Sequence, residues 1–210
     1  MITRTLVAAV LIVFMAAPLM AQEEEVDREF GDSIRLLDDD GNIQKINDIK
    51  VLSATYEKVT YTGRGRRSES EKDGSRVLSI IYGDAPRVYT TGTVALTRQQ
   101  YSKAAEDLEG SKAAVEANIV RPWLLEYAAV NKGLALTALA ARDPLHIADA
   151  IKEFEEALKQ NPKSVLYDSI QLGLVECYSL QKKWDKAKAA AEALTAVGDA
   201  IKQPVWKLNG

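Results

Sequence analysis

IADAIKEFEEALKQNP, residues Ile147 to Pro162, carries its apolar side chains at Ile147, Ala150, Ile151, Phe154, Ala157 and Leu158. That spacing places them on one side of an α-helix, with Asp149, Lys152, Glu153, Glu155 and Glu156 on the other. Within the apolar side the order is small, large, small: Ala150, Phe154, Ala157. Small residues let a neighbouring helix approach, and the aromatic ring fills the space between them. Pro162 lacks the N–H needed to extend the helix. The stretch therefore predicts the amphipathic second helix of a helical hairpin.

Working outward, the same texture runs from Ala85 to Val197 and predicts helices over 85–98, 101–118, 122–141, 146–160, 164–181 and 184–197. Short breaks at Gln99-Gln100, Asn118 to Pro122, Asp143-Pro144, Asn161-Pro162 and Lys182-Lys183 separate them, which gives three antiparallel pairs. The small-bulky-small order recurs. The third pair has Leu174, Val175 and Tyr178, then Trp184, Ala187, Ala191 and Leu194; the second has Leu134, Ala135 and Ala138, then Ala150, Phe154 and Ala157. The first is looser, with Gly92 and Ala95, then Tyr101, Ala104, Leu108 and Ser111. On these residues the segment resembles the tetratricopeptide repeat family. Ala104, Ala150 and Ala187 are 46 and 37 residues apart, both above the family's period of about 34, which predicts longer helices or loops between units. The competing reading is a generic alanine-rich bundle, because helix propensity alone also enriches alanine.

The resemblance implies a groove lined by the first helix of each pair. On the register above it would contain Tyr89, Thr93, Leu96, Lys132, Leu136, Leu139, Leu172, Glu176 and Ser179. A surface of that mixed character suits an extended peptide or a partner helix.

Before the helices the texture differs. Basic Arg4, an apolar run from Thr5 to Ala16 and a small residue at Ala21 predict a signal peptide over 1–21, and hence an exported protein, periplasmic or secreted. With Pro18 shortening the run, no stable membrane insertion is expected after cleavage. Residues 22–32 form an acidic, flexible lead-in. Over 33–84, short β-prone runs at Ile34–Leu37, Ile43–Ile46, Ile49–Leu52, Lys58–Thr62 and Arg76–Tyr82 predict a small antiparallel sheet or half-closed barrel, with 63–74 as a polar loop. Asp84 is the expected N-cap of the first helix, and Pro86 falls in its first turn. The fold class is thus α+β: a β-rich module followed by an array of three helical hairpins over 85–198.

Charge and composition exclude several functions. A formal net charge of −3 offers no general attraction to nucleic acid or anionic lipid. The single cysteine, Cys177, cannot form an intrachain disulfide and sits in an apolar helical pattern, which predicts a buried, inert thiol. Asp38 to Asn42 offers clustered carboxylates, but centring a calcium loop on Gly41 puts Leu36 and Asn47 where acidic ligands are required; a hairpin turn fits instead. Arg64, Arg66 and Arg67 are followed by Glu69, Glu71 and Asp73, which cancel their field. His146 is the sole histidine, so neither a histidine metal site nor a Ser-His-Asp arrangement can be assembled. No catalytic residue, metal ligand or cofactor site is expected.

Two function classes remain. The first is a non-catalytic scaffold in the cell envelope that binds a protein partner. The second is an envelope glycan-binding protein or enzyme with a site between the β-module and the first repeat, where Tyr56, Tyr61, Tyr82 and Tyr89 could stack on sugar rings. The tail 199–210, with Ile201, Val205, Trp206 and Leu208, is expected to fold back as a cap over the third pair. Its alternative is a homo-oligomer contact.

Overall fold

The computed structural model describes residues 31–201 apart from 64, 66, 67 and 118. The expected signal peptide, most of the lead-in, the basic Arg64, Arg66 and Arg67, and the tail from Lys202 with Trp206 lie outside the described residues.

Five strands form an open antiparallel sheet in the order β4-β3-β2-β1-β5: β1 (Asp32–Leu37), β2 (Ile43–Ala54), β3 (Lys58–Gly63), β4 (Glu69–Asp73) and β5 (Val77–Ile81). The β1–β2 turn is the expected hairpin. Gly41 takes φ +81°, and the Asp38 carboxylate accepts from the N–H groups of Asp40 and Asn42 at 3.0 and 2.8 Å. Three expectations need correction. The runs over Ile43–Ile46 and Ile49–Leu52 are one strand, because Asn47-Asp48 makes a bulge rather than a turn. Asp48 has φ +54°, and the β1–β2 register shifts there. The loop over 63–74 contains strand β4, whose polar alternation exposes no apolar side and is held to β3 by the backbone ladder and by a 2.6 Å Lys58–Glu71 ion pair. As an edge strand its charges discourage pairing with other chains. Asp32, placed in the flexible lead-in by the sequence, opens β1 and is fully buried.

Helices follow: α1 (Arg87–Thr97), α2 (Tyr101–Ser111), α3 (Ala113–Glu116), α4 (Trp123–Ala140), α5 (Ile147–Gln160), α6 (Tyr167–Leu180) and α7 (Trp184–Ala200). The helix expected over 101–118 is broken at Lys112 into α2 and the single turn α3. Three antiparallel hairpins, α1/α2, α4/α5 and α6/α7, stack side by side, so the layout is α+β as expected. Gln99 (φ +60°) and Lys182 (φ +57°) end α1 and α6 in the left-handed conformation, each letting its own N–H and that of the next residue bond back into the helix.

The register is set by Phe154. It is fully buried together with Ala150 and Ala157, and Ala104 and Ala187 are buried as the repeat pattern requires. The ring lies between two glycines. A Cβ built on Gly133 of α4 would come within 2.8 Å of it, and one on Gly173 of α6 within 2.3 Å. Gly92 of α1 stands in the same relation to Leu108 of α2, at 2.9 Å. The glycines are what let each first helix approach a bulky residue on a second helix.

One face of the sheet, with Ile34, Leu36, Ile49, Val51, Val59 and Ile80, packs against Tyr89, Trp123, Tyr127, Val165 and Leu166. These residues lie at or near the N-terminal ends of α1, α4 and α6. The sheet therefore closes one end of the helical array, and the hairpin turns lie at the other.

Candidate functional site

The junction of sheet and array is built around Arg121, immediately before α4. Its guanidinium donates to both Asp32 oxygens, at 2.9 and 2.7 Å, to both Asp84 oxygens, at 2.9 and 2.7 Å, and to the Val51 carbonyl at 3.2 Å. Asp32 also accepts from the N–H groups of Val51 and Gly83, and Asp84 from the Arg121 N–H and Trp123 Nε1. Every carboxylate oxygen is thereby satisfied by at least two donors, the condition under which a buried ion cluster is tolerated. Burial alone would raise the Asp84 carboxyl, but its bonds to Arg121 and Trp123 outweigh that and hold it below the usual range. This corrects the expectation for Asp84. It does not cap α1, whose first turn follows Pro86 without a side-chain cap, because its carboxylate is committed to Arg121.

Aromatic rings seal the junction. Tyr82 stacks on Trp123 with centroids 4.0 Å apart, and Tyr89 and Tyr127 meet Trp123 edge-on at 5.4 and 5.5 Å. Beside them opens a cleft of about 430 Å³ between the C-terminal half of β2 and the adjoining ends of α4 and α5. Arg121, Trp123, Glu126 and Asn161 line its helical side. Glu126 accepts from Asn161 Nδ2 at 3.1 Å and from the Ser164 hydroxyl. Burial raises its carboxyl above the ordinary value, against the lowering effect of those two bonds. Asn161 also donates to the Ala54 carbonyl, tying the α5 end to β2.

The four tyrosines singled out from sequence do not share this cleft. Tyr82 lines it; Tyr56 meets Tyr167 edge-on at 5.4 Å, Tyr61 packs on the sheet core, and Tyr89 accepts a hydrogen bond from Asn131. Nor does the cleft adjoin the first repeat. It adjoins the second.

The nine groove positions are likewise divided. Thr93 and Leu96 are half-buried on α1, with Leu96 against Ala95, Ala104, Leu108 and Ala135. Tyr89 sits in the sheet junction. Leu172 and Ser179 are half-buried and Glu176 is exposed on α6. Leu136 is inside the core and Leu139 packs against it. Lys132 turns toward the second helices, bonding Glu109 of α2 at 2.9 Å and Glu153 of α5 at 2.7 Å. The bond from Lys132 to Glu109, with that from Lys112, holds the Glu109 carboxyl down at about 2. On α4 the side turned away from α2 and α5 carries Asn131, Leu134 and Ala138 instead, all half-buried.

Cys177 is buried 3.3 Å from the Thr137 hydroxyl, and burial pushes its thiol up, away from reactivity. Among the described residues no three His, Cys, Asp or Glu side chains converge on a metal-sized site, and no helix is long and apolar enough to cross a membrane.

The glycine-lined Phe154 slot and the stacked hairpins coincide with a family match: residues 146–203, from the start of α5 through α7, fit the tetratricopeptide repeat model. The chain contains tetratricopeptide repeats. The matched segment begins with the second helix of one repeat and includes the whole of the next, so the array extends at least one helix, α4, N-terminal of it. No curated protein and no solved structure matches the chain.

The cluster of Arg121, Asp32 and Asp84 escaped the sequence reading because its members lie far apart in the chain, in segments of different texture. Their one local signal is a charged residue at position 121 set between Ile119-Val120 and Pro122-Trp123-Leu124.

Proposed function

We propose that this protein is a non-catalytic interaction scaffold of the cell envelope, which holds an extended peptide or a partner helix along the first helices of its repeats. The observation that carries the reading is the tetratricopeptide array itself, a fold suited to presenting a long surface made of one helix per repeat. Thr93 on α1, Asn131, Leu134 and Ala138 on α4, and Leu172 and Glu176 on α6 offer polar and apolar groups along that surface. The Arg121 junction fixes the sheet to the ends of these helices and so holds them in a constant relation. Rigid presentation lowers the ordering cost of binding. The export signal read from residues 1–21 supports the envelope location.

The test is site-specific photocrosslinking in envelope extract. A photoreactive side chain at position 138 is expected to capture a discrete protein that one at position 188, on the exposed side of α7, does not. Equal capture at both positions, or none from a folded bait, would refute the reading. The cleft beside Tyr82 and Trp123 favours a second reading, a glycan site at the junction. Against it, the two ring faces are stacked on each other rather than open to a sugar. Saturable binding of peptidoglycan fragments, weakened by Trp123→Phe, would support it.

A further inference from the structure

The hairpin turns form the end of the array remote from the sheet. The Thr137–Cys177 contact brings together positions three residues from the ends of α4 and α6, so the two helices finish level and their turns lie side by side. The packing of Ala95 of α1 near Ala135 of α4 brings the first turn to the same end. Here large apolar side chains stand in solvent: Leu145 is 81% exposed, Trp184 63% and Leu180 42%. Leu145 lies on the α4–α5 turn, and Leu180 and Trp184 flank the α6–α7 turn.

The charge around them is opposite in sign to that of the chain. Arg98, Lys103, Arg142, Lys182, Lys183 and Lys186 lie on or beside the three turns and are exposed, with Asp143, Asp149 and Asp185 as the acids among them, while the whole chain has a formal net charge of −3. Asp143 is partly occupied locally, accepting from the Leu145 N–H at 3.1 Å. A low overall charge therefore hides a segregated one: cations gather at the end where leucine and tryptophan protrude. We propose that this end docks on the surface of an anionic lipid bilayer, Trp184 and Leu145 entering the headgroup region while the surrounding lysines and arginines meet lipid phosphates.

The charge complementarity is to an anionic surface, and the shape selects a bilayer. The apolar groups sit on the tips of turns and not in a concavity, so a flat, soft interface can receive them and a groove-seeking peptide cannot. Tryptophan has an amphipathic ring suited to that depth, and lysines carry long stems that reach past it. Local basic residues at a membrane surface act over about a Debye length, so the rest of the acidic chain weakens the attraction little once the end has docked. This inference is independent of the peptide-binding surface, which lies along the helices and not at their turns.

The test is co-sedimentation of the processed chain, recovered from the envelope of expressing cells, with vesicles of equal parts phosphatidylglycerol and phosphatidylcholine. Binding is expected to the mixed vesicles and not to phosphatidylcholine alone, and to fall as salt rises. Lys182→Glu with Lys183→Glu should lower partitioning roughly thirtyfold or more. Trp184→Ala and Leu145→Ser should each lower it severalfold while leaving the melting temperature unchanged, since both side chains are already exposed. Failure to sediment with the mixed vesicles would overturn the proposal. So would binding that is insensitive to these substitutions, or capture of soluble polyglutamate as tight as capture of vesicles and indifferent to Trp184, which would assign the end to an acidic protein.

Discussion

Gly173→Ala tests the packing that sets the repeat register. Alanine is the better helix former by about 1 kcal/mol in an unconstrained helix. Here the added methyl would stand 2.3, 2.5 and 2.9 Å from the Cζ, Cε2 and Cε1 atoms of Phe154, a ring already held from the other side by Gly133. The ring cannot retreat, so α6 must move or the ring must leave its rotamer, and such overpacking costs about 1–3 kcal/mol or more. The net expectation is a loss of roughly 1–2 kcal/mol, which in a domain of this size lowers the melting temperature by about 2–8 °C. Circular dichroism at the helical band, followed through urea and thermal unfolding, measures it. Two companions isolate the cause. Gly110→Ala on exposed α2, where the nearest atom is Val88 Cγ2 at 3.9 Å, should stabilise by up to about 1 kcal/mol. In a Phe154→Leu background, Gly173→Ala should cost less than in the wild type. A Gly173→Ala protein at least as stable as wild type, or one whose cost is unchanged by Phe154→Leu, would refute the argument.

Arg121→Ala leaves the buried carboxylates of Asp32 and Asp84 facing each other without a cation, and should cost about 3–5 kcal/mol in a urea titration; a cost below about 1 kcal/mol would show the junction to be dispensable. Glu126→Gln should leave stability unchanged or raise it at neutral pH, because burial raises the Glu126 carboxyl and so penalises its ionised form. The sign is that of a raised acid: the wild type loses stability as pH rises from the ordinary value of 4.5 toward the folded value, and melts on either side of that window should show the variant gaining on it. Glu109 has the opposite sign. Its folded value of about 2 lies below the ordinary 4.5, so its contribution is present above pH 4.5 and is lost as pH falls toward 2. Glu109→Gln should therefore flatten the acid limb of the stability profile between those values, a change that parallel melts can detect.

The helical half was legible because its periodicity is local. Ala104, Ala150, Phe154 and Ala187 are buried as the three-and-four spacing demands, and the breaks at Gln99 and Lys182 fall on the two left-handed helix ends. The repeat also left a second mark that the alanine register passed over. Gly92, Gly133 and Gly173 are 41 and 40 residues apart, a steadier interval than that of the alanines. Had those glycines defined the first helices, Leu136 and Lys132 would have been assigned to the packed side.

What the chain determines by itself are the elements whose energetics lie within a few turns: amphipathic faces, turn glycines, and the alternation of apolar residues in the inner strands. Strand β4 escapes that logic because a polar edge strand is stabilised by its neighbour's backbone, and the break at Lys112 shows nothing in periodicity. The tertiary structure alone decided that the sheet sits on the ends of α1, α4 and α6, since that arrangement depends on Arg121 meeting Asp32 and Asp84 across 89 and 37 residues of chain. It also decided that the three turns share one end. Ion pairs and surface patches of this kind are made by charges that become neighbours only after the backbone has folded, and no spacing in the sequence records such distances.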